Sequence, residues 1–483
     1  MGQVIEGRDG PWEMVIGLET HAQVVSKAKL FSGASAEFGA APNSHVGFLD
    51  AGMPGMLPVV NGVCVEAAVK TGIALNAAIN LVSIFDRKNY FYPDLPLGYQ
   101  ISQFSDPIVG KGHLDIETEA GPKRIGITRL HLEQDAGKSL HDQDPLRTFI
   151  DLNRAGVGLM EIVSEPDIRS GEEAAAYVAK LREILEDLGV CDGNMEEGSL
   201  RCDVNLSLRR PGGPLGTRTE IKNINSIRFI RQAIACEAAR QIEILEEGGK
   251  ILQETRLFDP DIGETRAMRS KEESHDYRYF PDPDLPPLIL DQTYVDQIRA
   301  TMPEMRGDRR RRLERDNIPA ANVEIITSSA KSMNYFTDMS ENFEDKILAS
   351  NIMVNEIMPR VFYRNSNPDI ERLRPSEANT IINMISSGNI SGRQAKEAFE
   401  FMWEEGKSAA DVVAERGLAQ MSDDGAIKAL VDQVVAANPD KVAEYRSGKT
   451  KLIGFFVGQV MKASQGKANP QAVNALLMAR LDA

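Results

Sequence analysis

Between Ser199 and Asn223 the chain places charged and polar residues at a spacing that chemistry can use. Arg201, Asp203, Asn205 and Ser207 alternate with Leu200, Cys202, Val204, Leu206 and Leu208, the period-2 pattern of a half-buried strand. The segment Arg210-Pro211-Gly212-Gly213-Pro214-Leu215-Gly216 cannot continue a ladder, because its prolines lack an N–H and its glycines favour turns, so the chain returns as a hairpin. On the return strand Arg218, Glu220 and Lys222 share a face, and one register sets Asp203 opposite Lys222 and Asn205 opposite Glu220. Other segments repeat the pattern. From Trp12 to Val25, Glu19 and His21 project on the face of Val15, Gly17 and Gln23. From Arg124 to Asp135, Arg129, His131, Glu133 and Asp135 oppose Thr128, Leu130 and Leu132. Glu161 is a lone acid in an apolar run that follows Gly156 and Gly158, glycines that let the backbone approach something closely. Lys88, Tyr90 and Tyr92 share a face if that stretch is extended, a cation flanked by aromatics that suits a phosphate or nucleotide.

Brought into one cleft with His21, the carboxylates of Glu19, Glu133, Glu161, Asp203 and Glu220 cannot all stay ionised without cations, because like charges at short range raise one another's pKa. A divalent metal is the natural partner. Oxygen-rich ligands with few nitrogens and no cysteine cluster favour magnesium or manganese over structural zinc, and magnesium accompanies nucleotide phosphates. Lys88, Arg201 and Lys222 would neutralise phosphoryl oxygens during transfer. The pattern points to a metal-dependent, ATP-using transferase on an antiparallel sheet. No Gly-x-Ser-x-Gly elbow and no Gly-x-Gly-x-x-Gly fingerprint occurs. Ser447-Gly448-Lys449-Thr450 ends like a phosphate-binding loop, but Ala443 stands where that motif needs glycine.

The elements that must position these residues follow from periodicity and capping. Gly62 to Ile79 has helical spacing, Ser170 and Glu173 read as a capping box for a helix to about Leu188, and Ser226 to Glu247 is an amphipathic helix ended by Gly248-Gly249. Gln253 to Asp259 is a strand, and a loop runs on to Pro287. Beyond Leu290 only helical periodicity remains, broken by Pro303, Pro319, Pro359, Pro368 and Pro375. Arg309 to Arg312 read as a solvated helix face offset by Asp308, Glu314 and Asp316. From Met421 a last module appears; between Lys441 and Lys467 it is basic, which suits a phosphate backbone. With 483 residues and 42% apolar content, two or three domains are expected. The net charge of −16 disfavours nucleic-acid binding over the whole surface but permits a local basic patch. The 4 scattered cysteines read as free thiols, and no membrane span or secretion signal is legible, so a cytoplasmic protein is expected.

Gly-Leu-Glu-Thr-His at 17–21, KNYFYPDLPLGYQISQ from Lys88, HLEQDAGK from His131, NRAGVGLMEIVSEPD from Asn153, SLRCDVNLSLR from Ser199 and TEIKNINS from Thr219 together resemble the B subunit of the glutamyl/aspartyl-tRNA amidotransferase, in order and over nearly the whole chain. The resemblance implies an α+β fold: an antiparallel-sheet cradle related to glutamine synthetase and the guanidino kinases at 10–292, an all-helical domain at 293–420 and a small helical tail at 421–483. It implies that ATP phosphorylates the side-chain carboxylate of misacylated Glu-tRNA(Gln) or Asp-tRNA(Asn), and that ammonia then displaces phosphate. The ammonia would come from glutamine on an A subunit, with a C subunit completing a heterotrimer. Position by position, the resemblance assigns Glu19, His21, Glu133 and Glu161, with Glu220, to magnesium or manganese. It assigns Lys88, Tyr90, Arg201, Asp203, Asn205 and Glu220 to ATP. Lys449, Lys451 and Lys462 in the tail would meet tRNA through its phosphates and sugars. Two other readings of the same residues stay open here: a stand-alone carboxylate–amine ligase acting on a small acid, and a non-enzymatic tRNA-binding scaffold.

Overall fold

The computed structural model of the chain describes residues 4–270, 277–364, 368–420, 424–464 and 467–482. It divides into two compact units, Met1–Met305 and Arg306–Ala483. The expected boundary after residue 292 leaves out the helix Gln292–Ala300, whose Val295 and Ile298 are buried in the first unit's core. The expected start of the tail, Met421, lies outside the described residues.

The first unit is mixed α and β. The strands that build and flank the site are β1 (Val4–Gly7), β2 (Gly10–Gln23), β3 (Asp86–Asn89), β4 (Tyr99–Ser102), β5 (Gly112–Thr118), β6 (Gly121–Gln134), β7 (Gly158–Ser164), β8 (Leu200–Arg209), β9 (Thr219–Lys222), β10 (Glu254–Asp259) and β11 (Glu264–Ser270). Its principal helices are α1 (Gly62–Ala74), α2 (Gly171–Asp187) and α3 (Ile227–Glu246). A nine-stranded sheet runs β11-β10-β9-β8-β2-β7-β6-β5, with β1 added on β2. The sheet departs from a purely antiparallel one at a single junction, where β9 and β10 run parallel because α3 carries the chain back across the sheet between them. β3, β4 and Phe280–Pro281 form a small second sheet.

The alternation in β2, β6, β7 and β8 sorts their side chains onto two faces. Leu18 and Ala22, Leu130 and Leu132, Met160 and Ile162, and Leu200, Cys202 and Val204 lie in one buried cluster with residues of α1, α2 and α3, so the helices cover the apolar face. Capping sets where those helices start: the hydroxyl oxygens of Ser170 and Ser226 accept hydrogen bonds from the N–H groups of Glu173 and Phe229. The reciprocal half of the expected capping box differs, because Glu173 accepts instead from the N–H of Arg169 and from Lys123, which claim its Oε2 at 2.7 Å each. α1 stops at Ala74 rather than continuing to Ile79, since Asn76 takes a φ of 50° that no helix accommodates. Part of the stretch taken as loop before Pro287 is strand β11, at the sheet edge.

The second unit is helical throughout its described residues and holds two buried clusters, one spanning Leu313 to Leu418 and one Ile427 to Leu481. Pro359 does not end a helix there. It sits inside Met353–Phe362, which is wound as a π-helix and so tolerates a residue without an N–H. On the helix Arg306–Arg315, Arg311 pairs with Asp308 at 2.5 Å and only Leu313 is buried, as a solvated face requires. Among the described residues no helix is long and apolar enough to cross a membrane.

Candidate active site

Strand register assembles the site. Glu161 on β7 is paired with His21 on β2 and with His131 on β6, and His21 is paired in turn with Arg201 on β8. Arg201, His21, Glu161 and His131 therefore form one row across four strands, with directly opposed side chains in contact range. The next row is Asp203, Glu19, Val163 and Arg129. On the other side Glu133 is opposite Leu159, which is opposite Gln23. Because side chains two apart share a face, these rows line the same side of the sheet, the one away from the helices.

The closest group is His21, Glu133 and Glu161, whose potential ligand atoms all lie within 4.8 Å of one another. His21 Nε2 is 3.3 Å from Glu161 Oε2, and His131 Nε2 is 3.5 Å from carboxylate oxygens of both Glu133 and Glu161. Burial works against a charged His21 ring, but its hydrogen bond to Glu161 and the charges of Glu161, Asp203 and Glu133 outweigh it and push the pKa up to about 9. Burial also opposes ionisation of Glu161, yet His131, His21 and Lys88 hold it well below the usual carboxylate range. Glu133 is likewise held ionised, against burial and the charge of Glu161, by His131 and Lys88. Ser102 on β4 donates to Glu133 at 3.2 Å and fixes that carboxylate from the small sheet.

Glu19 stands one row along and accepts a hydrogen bond from Asn205 Nδ2 at 2.9 Å. The hairpin register is the one the alternation predicts: Asn205 lies opposite Glu220, and Lys222 pairs with Asp203 and, at 3.4 Å, with Glu220. Thr255 on β10 donates to Glu220 at 2.8 Å. Arg201 donates to Asp135 at 3.0 Å, and Gln23 donates to the same carboxylate at 2.7 Å. Lys88 reaches in from β3, its ammonium 4.9 Å from the Tyr277 ring centre and 5.6 Å from that of Tyr90. Burial disfavours its charge, but Glu133 and Glu161 raise its pKa above the usual lysine value.

These groups line one cavity of about 810 Å³. Glu19, His21, Lys88, Tyr90, Glu133, Glu161, Arg201, Asp203 and Glu220 all face it, while Asn205 reaches it through Glu19. Lys449, Lys451 and Lys462 belong to the second unit. All are exposed, Lys449 paired with Glu444 at 3.2 Å, Lys451 in the turn Thr450–Leu452 and Lys462 in the last turn of Ile453–Ala463. Sequence reasoning left Gln100, Asp135, Tyr277 and Tyr279 out of the site. Tyr277 and Tyr279 carry a signal, an alternation just before Phe280, and Phe104 stacks on Tyr279 with ring centres 4.2 Å apart.

The donor set fits a hard divalent cation. A buried carboxylate, a half-buried one and an imidazole converge, and the ring nitrogen ligates once its proton leaves, so binding releases a proton. Residues lining the cavity also carry buried atoms without hydrogen-bond partners: Gln103 Nε2, Arg129 Nε, His131 Nδ1 and Arg201 Nε. Unsatisfied groups gathered in one cavity mark a place built to receive something polar.

Residues 14–296 match a family described as the GatB/GatE catalytic domain, and residues 334–481 match the GatB domain. A curated relative from Methylobacterium radiotolerans, the B subunit of an aspartyl/glutamyl-tRNA(Asn/Gln) amidotransferase, is 57% identical over 481 residues, covering 99% of this chain and 98% of its own. A protein of the same description from a Bradyrhizobium species is 56% identical, with 99% of each chain covered. Another from Mesorhizobium japonicum is 56% identical over 99% of this chain and 97% of its own.

Proposed function

Because this chain belongs to the family of aspartyl/glutamyl-tRNA(Asn/Gln) amidotransferase B subunits, we propose that its cavity is where the side-chain carboxylate of a misacylated tRNA is activated and amidated. The chain is part of a carbon–nitrogen ligase that uses glutamine as amido donor and converts Glu-tRNA(Gln) or Asp-tRNA(Asn) to the amide. It works with A and C subunits in the cytoplasm.

A carboxylate is a poor electrophile at neutral pH, so the chemistry takes two steps. A carboxylate oxygen of the substrate attacks the γ-phosphorus of ATP, the bond to the β,γ-bridging oxygen breaks, and ADP leaves. Ammonia, released from glutamine on the A subunit, then attacks the acyl carbon, loses a proton, and expels inorganic phosphate. Lys88, held charged between Tyr90 and Tyr277, and Arg201, oriented by Asp135, are placed to bind phosphate oxygens. Asp203, Asn205 and Glu220 order that flank with Lys222. Glu19, His21, Glu133 and Glu161, with Glu220, are the residues that would hold magnesium, or manganese in its place, which supplies charge neutralisation for the phosphates.

The observation that carries this reading is the convergence of His21, Glu133 and Glu161 from three strands at the centre of a cavity rimmed by cations. A sheet with helices on one face and acids on the other supports the cradle of the glutamine synthetase and guanidino kinase kind. On this reading the unit Met1–Met305 carries the chemistry, and the helical unit that follows it carries, toward its end, the tRNA contacts of Lys449, Lys451 and Lys462. The test is reconstitution with the A and C subunits on each mischarged tRNA. Amide should form only with ATP. Amide formed without ATP, or equal rates on a free small acid, would overturn the proposal.

A further inference from the structure

The cations that face the cavity are not in equal circumstances. Arg201 is paired with Asp135 at 3.0 Å, Lys222 with Asp203 and Glu220, and Lys88 lies against two tyrosine rings. Arg129 has none of these, and unlike Arg218, which also lines the cavity without an ion pair among the described residues but is exposed to solvent, it is half-buried. It stands on β6 opposite Val163, at the end of the row that holds Asp203 and Glu19. Its Nε is buried without a hydrogen-bond partner, and among the described residues no hydrogen bond or ion pair engages its guanidinium, although it lines the cavity.

An arginine cannot shed its proton to escape this, so it carries a full charge with an unmet, buried donor beside the cavity. A structural arginine in such a position would be expected to hold a carboxylate or carbonyl, as Arg154 holds the carbonyls of Ala136 and Gly137 a short way along the chain. An unsatisfied one is tolerated where the missing partner arrives with the substrate. The planar fork of guanidinium donors matches an oxyanion, taking two oxygens of a carboxylate or phosphate at once. We infer that Arg129 is a substrate-contacting residue that binds an oxyanion of the reacting pair, on the flank of the His21, Glu133 and Glu161 group away from Lys222. Two substrates bring that chemistry, the terminal phosphoryl group of ATP and the side-chain carboxylate it activates. The inference rests on the proposed function of the cavity.

The experiment compares Arg129→Met and Arg129→Lys with the unaltered chain in the reconstituted assembly with the A and C subunits. Steady-state amidation is read against ATP and against misacylated tRNA, and thermal unfolding is followed in parallel. We expect kcat/KM to fall about 100- to 1,000-fold in Arg129→Met, with partial recovery in Arg129→Lys and a Tm that is unchanged or higher, since an unsatisfied buried donor has been removed. A loss confined to KM for ATP identifies the phosphoryl group as the partner; one confined to the misacylated tRNA identifies the carboxylate. Activity within threefold of the unaltered chain overturns the inference, as does a loss matched by lowered Tm in both variants, which would mean a structural role. An unaltered assembly that makes no amide sinks the proposed function, whereas an unimpaired Arg129→Met beside an active control sinks only the role of Arg129.

Discussion

Glu161→Gln tests the centre of the site with little change of shape. Its Oε2 is 3.3 Å from His21 Nε2, and an oxygen of Glu133 lies within 4.8 Å in the same group. At an effective dielectric constant of about 20, losing the attraction to a charged His21 over 3.3 Å costs roughly 5 kcal/mol, and relief of repulsion from Glu133, no more than 4.8 Å away, returns at least roughly 3.5 kcal/mol. His131, 3.5 Å from the same carboxylate, adds to the cost, and no longer having to bury an ionised group returns part of it, so the variant should fold with stability lowered by roughly 2 to 5 kcal/mol. Its response to metal should change far more. At a magnesium concentration about 100 times Kd, the unaltered chain gains about 2.7 kcal/mol by mass action, which raises Tm by on the order of 5 °C for a unit of this size. Glu161→Gln lacks one ligand carboxylate and should show almost none of that shift, and its ATP-dependent amidation should fall by about 100-fold or more. Scanning calorimetry of the full-length chain with and without magnesium makes the comparison. An equal rise of Tm in both chains would refute the assignment of Glu161 to the metal.

If Lys449, Lys451 and Lys462 meet tRNA phosphates, binding should weaken steeply as salt rises, and changing all three to alanine should flatten the log–log slope by about 2 to 3; filter binding at graded salt reads this, and an unchanged slope contradicts the contact. Thiol chemistry gives an independent check on burial. Burial pushes Cys64 and Cys191 up to about 12 and Cys202 above its usual range, whereas Cys236 is only partly buried. Iodoacetamide at pH 8 should therefore modify Cys236 and spare the others in the folded chain, as mass spectrometry of the digest will show.

The strands that carry the site were legible because they alternate. In β8 every second residue from Leu200 to Leu208 is apolar, so the polar set from Arg201 to Ser207 could lie only on the opposite face, and that face fixed the hairpin register. What escaped the sequence lacked that contrast. β11 reads Glu264-Thr265-Arg266-Ala267-Met268 and buries little beyond Thr265, because an edge strand need not present an apolar face. Tyr277 and Tyr279 enter the site because Phe280–Pro281 pairs with β3, a contact between positions nearly 200 residues apart that no local pattern announces. The partner choice of Glu173 was hidden for a related reason, since Lys123, which helps claim it, lies on β6, 50 residues before it in the chain.

The same alternation accounts for why a site can be built from charges at all. Each inward charge in the central strands is flanked along the chain by residues that pack on α1, α2 and α3, so the backbone is held by the apolar face whatever the polar face contains. That anchoring lets Glu133, at 3% exposure, and His131, at 4%, stay buried beside Glu161. The opposed charges are met in part from within, by Ser102, Asn205 and Thr255, and the remaining demand is left on Arg129, His131 and Arg201. A cavity whose central charges are paired and whose flanking donors are left unmet is stable enough to persist and polar enough to bind, which is the condition for stabilising charge that develops during phosphoryl transfer.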